Sequence, residues 1–157
     1  MRIHGFFDPE FDEPCVKVNV LMRGLGKMEN IKFMIDTGSK DIIIFEGDAT
    51  RRAEIDIDSL TEKESLEGAG GPFDGYTVRD VLLTFSTING QQHNEPFDKI
   101  YIVKQSNDGH NEYVEDERLA MPGLLGRNFL HKYLMIYSRK DDTLIITDEK
   151  GLLTDKI

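Results

Sequence analysis

The sequence predicts a mostly β domain, on the basis of three observations. Short apolar or alternating runs recur along the chain, helical apolar spacing is confined to one short stretch, and turn-forming residues separate the runs. About seven short strands are expected on this basis. A length of 157 residues suits one domain, so a single domain spanning residues 1–157 is predicted.

The first predicted elements form a hairpin. Residues 16–20 alternate valine with polar side chains, which indicates a strand with one buried face, and Gly24 and Gly26 mark a turn. Residues 31–35 predict the second strand of this hairpin. A continuous apolar run at 42–45 predicts a buried strand.

The middle of the chain is more polar. Residues 48–66 are charged and lack steady apolar spacing, so a short helix or an irregular excursion is expected there. A glycine-rich tip follows at 68–72. Strands are predicted at 76–85 and 100–103, and a polar, acidic loop is predicted at 105–118.

The one predicted helix lies near the C-terminus. Residues 124–130 have the apolar spacing of a short helix. Residues 134–137 and 143–147 predict two strands, and the Lys-Asp-Asp sequence at 140–142 predicts a hairpin turn between them.

Composition narrows the possible functions. The formal net charge of −10 disfavours a nucleic-acid or anionic-membrane binder, because both require a basic face. The single cysteine, Cys15, excludes an internal disulfide framework and is expected to be a small buried or half-buried residue. The N-terminus lacks a signal-peptide core and no long apolar window occurs, so no membrane span is expected and a reduced, cytoplasmic compartment fits best.

The chain shows no recognisable metal motif. The histidines His4, His93, His110 and His131 lack ligand spacing, and the acidic stretch at 54–58 lacks the glycine of a calcium loop. No metal and no cofactor are therefore expected.

The sharpest chemical signal is the Asp-Thr-Gly-Ser sequence at 36–39. An apolar strand delivers Asp36 into a low-dielectric place, and Gly38 allows the chain to turn tightly around the carboxylate. Thr37 and Ser39 supply hydroxyls that can fix the turn or donate to a carboxylate oxygen. The simpler interpretation is a strand-ending turn, and such a triplet arises by chance in roughly a few per cent of chains of this length.

A second segment lies far downstream: Leu124, Leu125, Gly126 and Arg127, followed by asparagine and an apolar strand. The order of these landmarks, with Asp-Thr-Gly-Ser, an apolar run and a glycine-rich segment before them, resembles that of the retroviral-type, or retropepsin-like, aspartic proteases. The resemblance covers about residues 15–147. It implies a mostly β, retropepsin-like acid-protease half-barrel with one short helix.

The resemblance also implies a chemistry. Two carboxylates hold one water: one is ionised and takes the water's proton, and the other is protonated and donates to the scissile carbonyl. Only one Asp-Thr-Gly occurs in the chain. The resemblance therefore implies a two-fold homodimer in which both copies contribute Asp36 and Thr37 hydrogen-bonds across the axis, with a peptide or protein as substrate.

Two residues near this motif leave alternatives open. Ser39 stands where many viral enzymes carry alanine, and its hydroxyl either donates to the carboxylate, which would favour a more acidic pH optimum, or caps the turn. The acidic partner of the matching arginine in the viral enzymes is replaced here by Lys40. Arg127 is therefore expected either to pair with Asp41 or to be an exposed cation.

The glycine-rich segment is the candidate for a flap that covers substrate. Gly68, Ala69, Gly70 and Gly71 lack the lysine of a phosphate-binding loop and suit the tip of a flexible hairpin, with Phe73 just beyond. In the family such a flap closes over the substrate and excludes water. An ordinary glycine turn is the alternative. Because the segment carries apolar Ala69 and Phe73 and no basic residue, apolar rather than acidic side chains are expected on both sides of the cut.

The predicted function is hydrolysis of peptide bonds by a homodimeric aspartic endopeptidase. The alternative is a module of the same fold that binds or scaffolds peptides without efficient cleavage. A third interpretation, the phosphate loop of an actin-like ATPase, requires two such lobes and a far longer chain than 157 residues.

Overall fold

The computed structural model describes residues 1–105 and 121–150, so nearly all of the loop predicted at 105–118 lies outside the described residues. The described part is mostly β, as predicted. Its strands are β1 (Arg2–His4), β2 (Phe6–Phe7), β3 (Pro14–Met22), β4 (Lys27–Ile35), β5 (Ile43–Phe45), β6 (Lys63–Gly68), β7 (Gly71–Ser86), β8 (Gln92–Val103), β9 (Gly123–Leu125), β10 (Leu134–Ser138) and β11 (Thr143–Thr147). Its helical segments are the α-helix α1 (Arg127–Leu130), 3₁₀ turns at Arg23–Leu25 and Ile57–Ser59, and a π turn at Asp48–Arg52.

The strands form two sheets. The larger has eight strands in the order β2-β3-β4-β9-β5-β8-β7-β6, and an additional pairing of β3 with β7 curls it toward closure. The smaller has three strands in the order β1-β11-β10. Strand β9 is inserted between β4 and β5, so a segment from late in the chain lies beside the strand that precedes Asp36.

The predicted first hairpin is confirmed. Strands β3 and β4 pair antiparallel from Cys15 opposite Met34 to Met22 opposite Lys27. Gly26 ends the connecting 3₁₀ turn at a φ of 61°, a conformation that glycine adopts without strain. Cys15 is fully buried, and burial raises the pKa of its thiol to about 11.

Aromatic packing links the large sheet to helix α1. Phe85 of β7 and Phe129 of α1 are fully buried, and their rings stack with centroids 4.8 Å apart. Burying each ring contributes about 2–3 kcal/mol. This contact fixes the helix against the sheet, which matters because the helix also contacts the turn around Asp36.

The region at 48–66 contains short helical turns and irregular stretches, as expected, and also the start of a strand that the sequence did not predict. The π turn and the second 3₁₀ turn are the short helical pieces, but the charged residues from Lys63 onward belong to strand β6. Two other strands are longer than predicted, since β7 begins at Gly71 and β8 at Gln92. Long antiparallel pairing tolerates polar side chains on the solvent face, so apolar alternation underestimates these strands.

The helix predicted at 124–130 is wrong in its first part. Leu124 and Leu125 belong to strand β9, and the helix covers only Arg127–Leu130. A strand enclosed between two others has a continuous apolar sequence, and the periodicity of apolar residues cannot distinguish such a run from a buried helical segment. The C-terminal hairpin was predicted correctly, because β10 and β11 pair antiparallel across 140–142.

Candidate active site

Asp36 lies at the end of β4, immediately after the buried residue Ile35. The backbone N–H of Asp36 donates to the carbonyl of Leu125 at 3.2 Å. The backbone N–H of Gly38 donates to Oδ1 of Asp36 at 2.8 Å, as in an Asx turn. Residues 36–39, called the Asp36 turn below, therefore present one partly buried carboxylate at the end of an anchored strand.

Helix α1 holds the far side of this turn through its backbone. The N–H of Arg127 donates to the carbonyl of Ser39 at 2.9 Å, and the N–H of Asn128 donates to that of Lys40 at 3.1 Å. Both carbonyls belong to the irregular segment between β4 and β5. The first turn of the helix thus satisfies its own N–H groups with the Asp36 turn and its neighbour.

Gly126 is required by this close approach. A Cβ at this position would lie 2.2 Å from the carbonyl oxygen of Asp41 and 2.9 Å from its backbone nitrogen. Backbone atoms cannot rotate away as a side chain can. The glycine of the Leu-Leu-Gly-Arg sequence is therefore a packing requirement of the site.

The side chain of Arg127 binds the Asp36 turn directly. Its Nη1 donates to the carbonyl oxygens of Thr37 and Gly38, each at 2.8 Å. The pair with Asp41, one of the two alternatives raised by the sequence, is not made; the cation lies at the surface, as the other alternative expected, and donates to backbone carbonyls. The guanidinium stabilises the turn by these hydrogen bonds.

The hydroxyl of Ser39 also acts on the backbone. Its Oγ donates to the carbonyl of Asp41 at 2.8 Å, so of the two alternatives for this residue the turn cap is the one observed. The ground for expecting a more acidic pH optimum is thereby lost. Thr37 is exposed, and its hydrogen bond across a twofold axis stays a prediction.

The β6–β7 hairpin contains the flap candidates. They lie at its tip or just beyond: Gly68, Ala69, Gly70, Gly71 and Phe73. Gly71 has a φ of 103°, which a residue with a side chain adopts only with strain. Phe73 pairs with Leu66 across the two strands. The predicted hairpin is present.

A second apolar cluster connects this hairpin to the strands beside Asp36. Its members are Ile43, Leu66, Tyr101 and Val103, with Phe45, Phe73 and Leu124 packed against them. Met34 pairs with Leu124, and Leu124 pairs with Ile43. Ile43 pairs in turn with Tyr101. Paired residues share a face of the sheet and side chains alternate along a strand, so Asp36, two residues after Met34, follows the same face.

A polar cluster at the base of the hairpin was missed by sequence reasoning. Nζ of Lys99 donates to Oε1 and Oε2 of Glu64 at 2.8 and 2.9 Å, and the hydroxyl of Tyr101 donates to the same carboxylate. These hydrogen bonds, that from Lys99 foremost, hold the pKa of the Glu64 carboxyl below its ordinary value. The available signal was the spacing of Glu64 and Leu66 on one face of a strand.

The described residues contain neither a metal-binding group of side chains nor a helix that could span a membrane. In ranges 1–105 and 121–150, no group of three or more His, Cys, Asp or Glu side chains is arranged to hold a metal ion. The helices within those ranges fall well short of the length and apolarity that crossing a bilayer would take.

Comparison with known proteins supports the fold. No family model matches the chain, and no curated protein matches it in sequence. The chain is similar to the crystal structure of a retropepsin-like aspartic protease from Rickettsia conorii, with a TM-score of 0.53 and 16% identity over 93% of this chain and 90% of that one. A second similarity, to EIAV protease complexed with the inhibitor HBY-793, has a TM-score of 0.43 and 12% identity over 79% of this chain and 90% of the other; at that score it adds no weight.

The protein therefore has a retropepsin-like fold, as the sequence resemblance implied. Identity of 16% establishes the fold alone.

Proposed function

We propose that the protein is an aspartic endopeptidase that acts as a two-fold homodimer, with one water activated between two copies of Asp36. The observation that carries the proposal is the position of Asp36 in a retropepsin-like fold. Its carboxylate is partly buried, follows the buried residue Ile35 and accepts a hydrogen bond from the backbone N–H of Gly38 at 2.8 Å. Arg127 and helix α1 hold the turn that presents it.

A second copy is needed because one chain supplies half of the chemistry. The sequence has a single Asp-Thr-Gly, and two carboxylates are required for complementary tasks. Carboxylates held close together cannot both ionise easily, so they titrate as a pair that shares one proton over part of the pH range. A symmetric dimer reaches this state with identical chains.

The proposed reaction has two steps, attack of the water and collapse of the resulting diol. The ionised Asp36 takes a proton from the water, whose oxygen attacks the scissile carbonyl carbon, while the protonated Asp36 of the second copy donates its proton to the carbonyl oxygen. The tetrahedral diol then collapses: the C–N bond breaks as the Asp36 that took the water's proton gives it to the leaving nitrogen, and a diol hydroxyl returns a proton to the other Asp36 as the carboxylic acid product forms. No covalent bond to the protein forms.

The second apolar cluster supports an extended, apolar peptide as the substrate. The cluster follows the same face of the sheet as Asp36 and continues into the β6–β7 hairpin through Leu66 and Phe73. A strand-like peptide bound between the floor of the site and a closing hairpin would expose alternate side chains to this surface. The hairpin is proposed to be the flap, with the turn at Ala69 and Gly70 as its tip.

The test is cleavage of an unbiased peptide mixture between about pH 4 and 6, where a carboxylate pair shares a proton. The Asp36→Asn variant should lose cleavage by about a thousandfold or more, because the general base is removed. Asp98→Asn is the matched control, since Asp98 is an exposed carboxylate on β8. Sequencing of the products should show apolar residues beside the cut.

Two outcomes contradict the proposal. Equal cleavage by wild type and Asp36→Asn would assign the activity to a contaminant or to another site. Binding of extended peptides by the wild-type dimer without any cleavage would instead establish the peptide-binding module that the sequence left as the alternative.

A further inference from the structure

Glu95 of β8 is a buried carboxylate outside the candidate active site. It is 8% exposed, and it pairs across the sheet with Leu83 of β7, a fully buried member of the main core. Paired residues share a face of the sheet, so the carboxylate lies in a layer that is otherwise apolar. Burying a charge in such a layer is costly unless the charge is paired and hydrogen-bonded. The carboxylate therefore needs a specific set of partners.

Three side chains supply these partners. Nζ of Lys132 lies 2.8 Å from Oε2 of Glu95, Nε2 of His93 lies 2.9 Å from Oε1, and the hydroxyl of Tyr133 also contacts Oε1. Because a carboxylate only accepts hydrogen bonds, all three groups are donors here. His93 belongs to β8, whereas Lys132 and Tyr133 belong to the turn that follows helix α1. Glu95 therefore bonds β8 to that turn.

The turn at 131–133 is continuous with α1. The backbone N–H of Lys132 donates to the carbonyl of Phe129 at 3.1 Å, and that of Tyr133 donates to the carbonyl of Leu130, also at 3.1 Å. The rings of Phe129 and Tyr133 pack with centroids 5.0 Å apart. A helix of four residues is not stable by itself in water. The contacts of this turn with the buried carboxylate therefore fix the C-terminal end of α1 to β8.

The opposite end of α1 holds the proposed catalytic turn. The backbone N–H of Arg127 donates to the carbonyl of Ser39 at 2.9 Å. Its Nη1 donates to the carbonyls of Thr37 and Gly38, each at 2.8 Å. A displacement of α1 would move these donors, and the turn that they hold would move with them.

We propose that Glu95 is a positioning residue for the proposed catalytic carboxylate: it fixes α1 against β8, and α1 in turn sets the position of Asp36. The inference rests on the proposed function, because it takes Asp36 to be the catalytic group. Glu95 has no part in the chemistry itself. Position matters because a misplacement of about 1 Å in a catalytic group can cost roughly a hundredfold in rate.

The amide resonance of Gly38 reports the position of the Asp36 carboxylate, because this N–H donates to Oδ1 at 2.8 Å. Glu95→Gln removes the charge of the buried group and keeps its shape. Tyr133→Phe removes one hydroxyl, keeps the ring and changes no charge. Both variants should displace the Gly38 resonance in proton–nitrogen correlation spectra. A displacement in the neutral variant cannot be a through-space effect of lost charge.

Glu29→Gln is the matched control. Glu29 also accepts a hydrogen bond from a cationic side chain, that of Arg52 at 3.4 Å. It lies opposite Val20 near the start of β4, whereas Asp36 follows the end of that strand. The same chemical change should therefore leave the Gly38 resonance in place. Resonance changes that reach no further than residues 127–133 in Glu95→Gln and Tyr133→Phe would overturn the inference.

Kinetics test the consequence for cleavage. Glu95→Gln should lower kcat about tenfold or more and leave KM within about twofold, because the catalytic turn is displaced while the apolar floor of the site is intact. Tyr133→Phe should show the same pattern with a smaller loss, since two of the three donors remain, and it decides both measurements where Glu95→Gln does not fold. A raised KM with an unchanged kcat would contradict the inference. An unchanged kcat in a variant whose Gly38 resonance has moved would contradict it as well.

The inference and the proposed function fail in distinguishable ways. A displaced Gly38 resonance in a protein that cleaves no peptide retains the effect of Glu95 on the Asp36 turn and refutes the protease. Asp36-dependent cleavage with the same kcat in wild type, Glu95→Gln and Tyr133→Phe retains the protease and overturns the inference.

Discussion

The segment that packs beside the Asp36 turn and the β6–β7 hairpin each contain a closely packed glycine, but the atoms that crowd the two glycines differ. A Cβ at Gly126 would lie 2.2 Å from the backbone carbonyl oxygen of Asp41. A Cβ at Gly68 in the hairpin would lie 2.6 Å from Cε1 of Phe73, the far end of a side chain. The first contact is backbone against backbone, and the second is backbone against a ring that can rotate.

This difference fits the functions proposed for the two regions, a catalytic turn and a flap. The turn is held by the N–H groups of α1 and by Arg127, all bonded to backbone carbonyls, so its geometry is set by groups with little freedom to move. The two strands of the hairpin pair through their backbones, but the hairpin packs on the neighbouring strands through side chains, and its tip at Ala69 and Gly70 is exposed. Catalytic groups need a fixed geometry and lids need an adjustable one.

The largest effect is expected at Gly126. Gly126→Ala should lower the free energy of unfolding by about 3 kcal/mol or more, because the backbone of Asp41 has to move. Gly68→Ala is the matched control and should cost about 1 kcal/mol or less, because Phe73 can turn aside. Urea unfolding of both variants gives the comparison. Equal losses would mean that the contact of Gly126 with Asp41 beside the turn is no more rigid than the hairpin.

Arg127 is expected to have the second largest effect. Arg127→Gln removes the donor to the carbonyls of Thr37 and Gly38, which should cost about 1–2 kcal/mol of unfolding free energy. Cleavage should fall further than stability explains, chiefly through kcat, because the turn carries Asp36. Arg127→Lys keeps one donor and should recover part of the rate. A change in KM alone would show that Arg127 acts on substrate binding instead.

The tip of the hairpin should respond weakly. Gly71→Ala puts a side chain at a φ of 103° and should cost about 1 kcal/mol, whereas Gly70→Ala, with open space around its Cβ, should be near neutral. Thermal unfolding checks both variants. A near-neutral Gly71→Ala would mean that the tip changes its backbone conformation freely.

The smallest effect concerns pH at the base of the hairpin. Hydrogen bonds from Lys99 and Tyr101 lower the pKa of the Glu64 carboxyl in the folded protein. A lowered folded pKa gives stability that is present above the ordinary pKa of glutamate, about 4.3, and is lost as the pH falls through the lowered value. Amide-exchange protection of β6, corrected for intrinsic rates, should therefore fall in acid for the wild type.

Glu64→Gln provides the control for this pH dependence. Its protection should be lower at neutral pH and should not fall further in acid, since no carboxylate is left to protonate. Identical acid profiles for the two proteins would show that the exposed cluster of Glu64 and Lys99 adds nothing measurable to the hairpin.

The sequence anticipated those elements that depend on near neighbours. Alternation at 16–20 and an apolar run at 31–35 identified the first hairpin, and the glycines at 68–71 identified the tip of the second. The sequence placed the starts of β7 and β8 too late, because polar residues on the solvent face break the apolar alternation while the backbone ladder continues. The predicted single domain and the predicted homodimer stay predictions.

The candidate site likewise has features that the sequence predicts and features that only the fold sets. The sequence by itself determined that an apolar strand ends in Asp36 and that Gly38 follows to close a turn, because both depend on residues within a few positions. Only the tertiary structure decided what Arg127 binds, since its partners lie 90 and 89 positions away. It also decided that Leu124 and Leu125 form a strand beside Asp36, because burial between β4 and β5 overrides the helical spacing of their side chains.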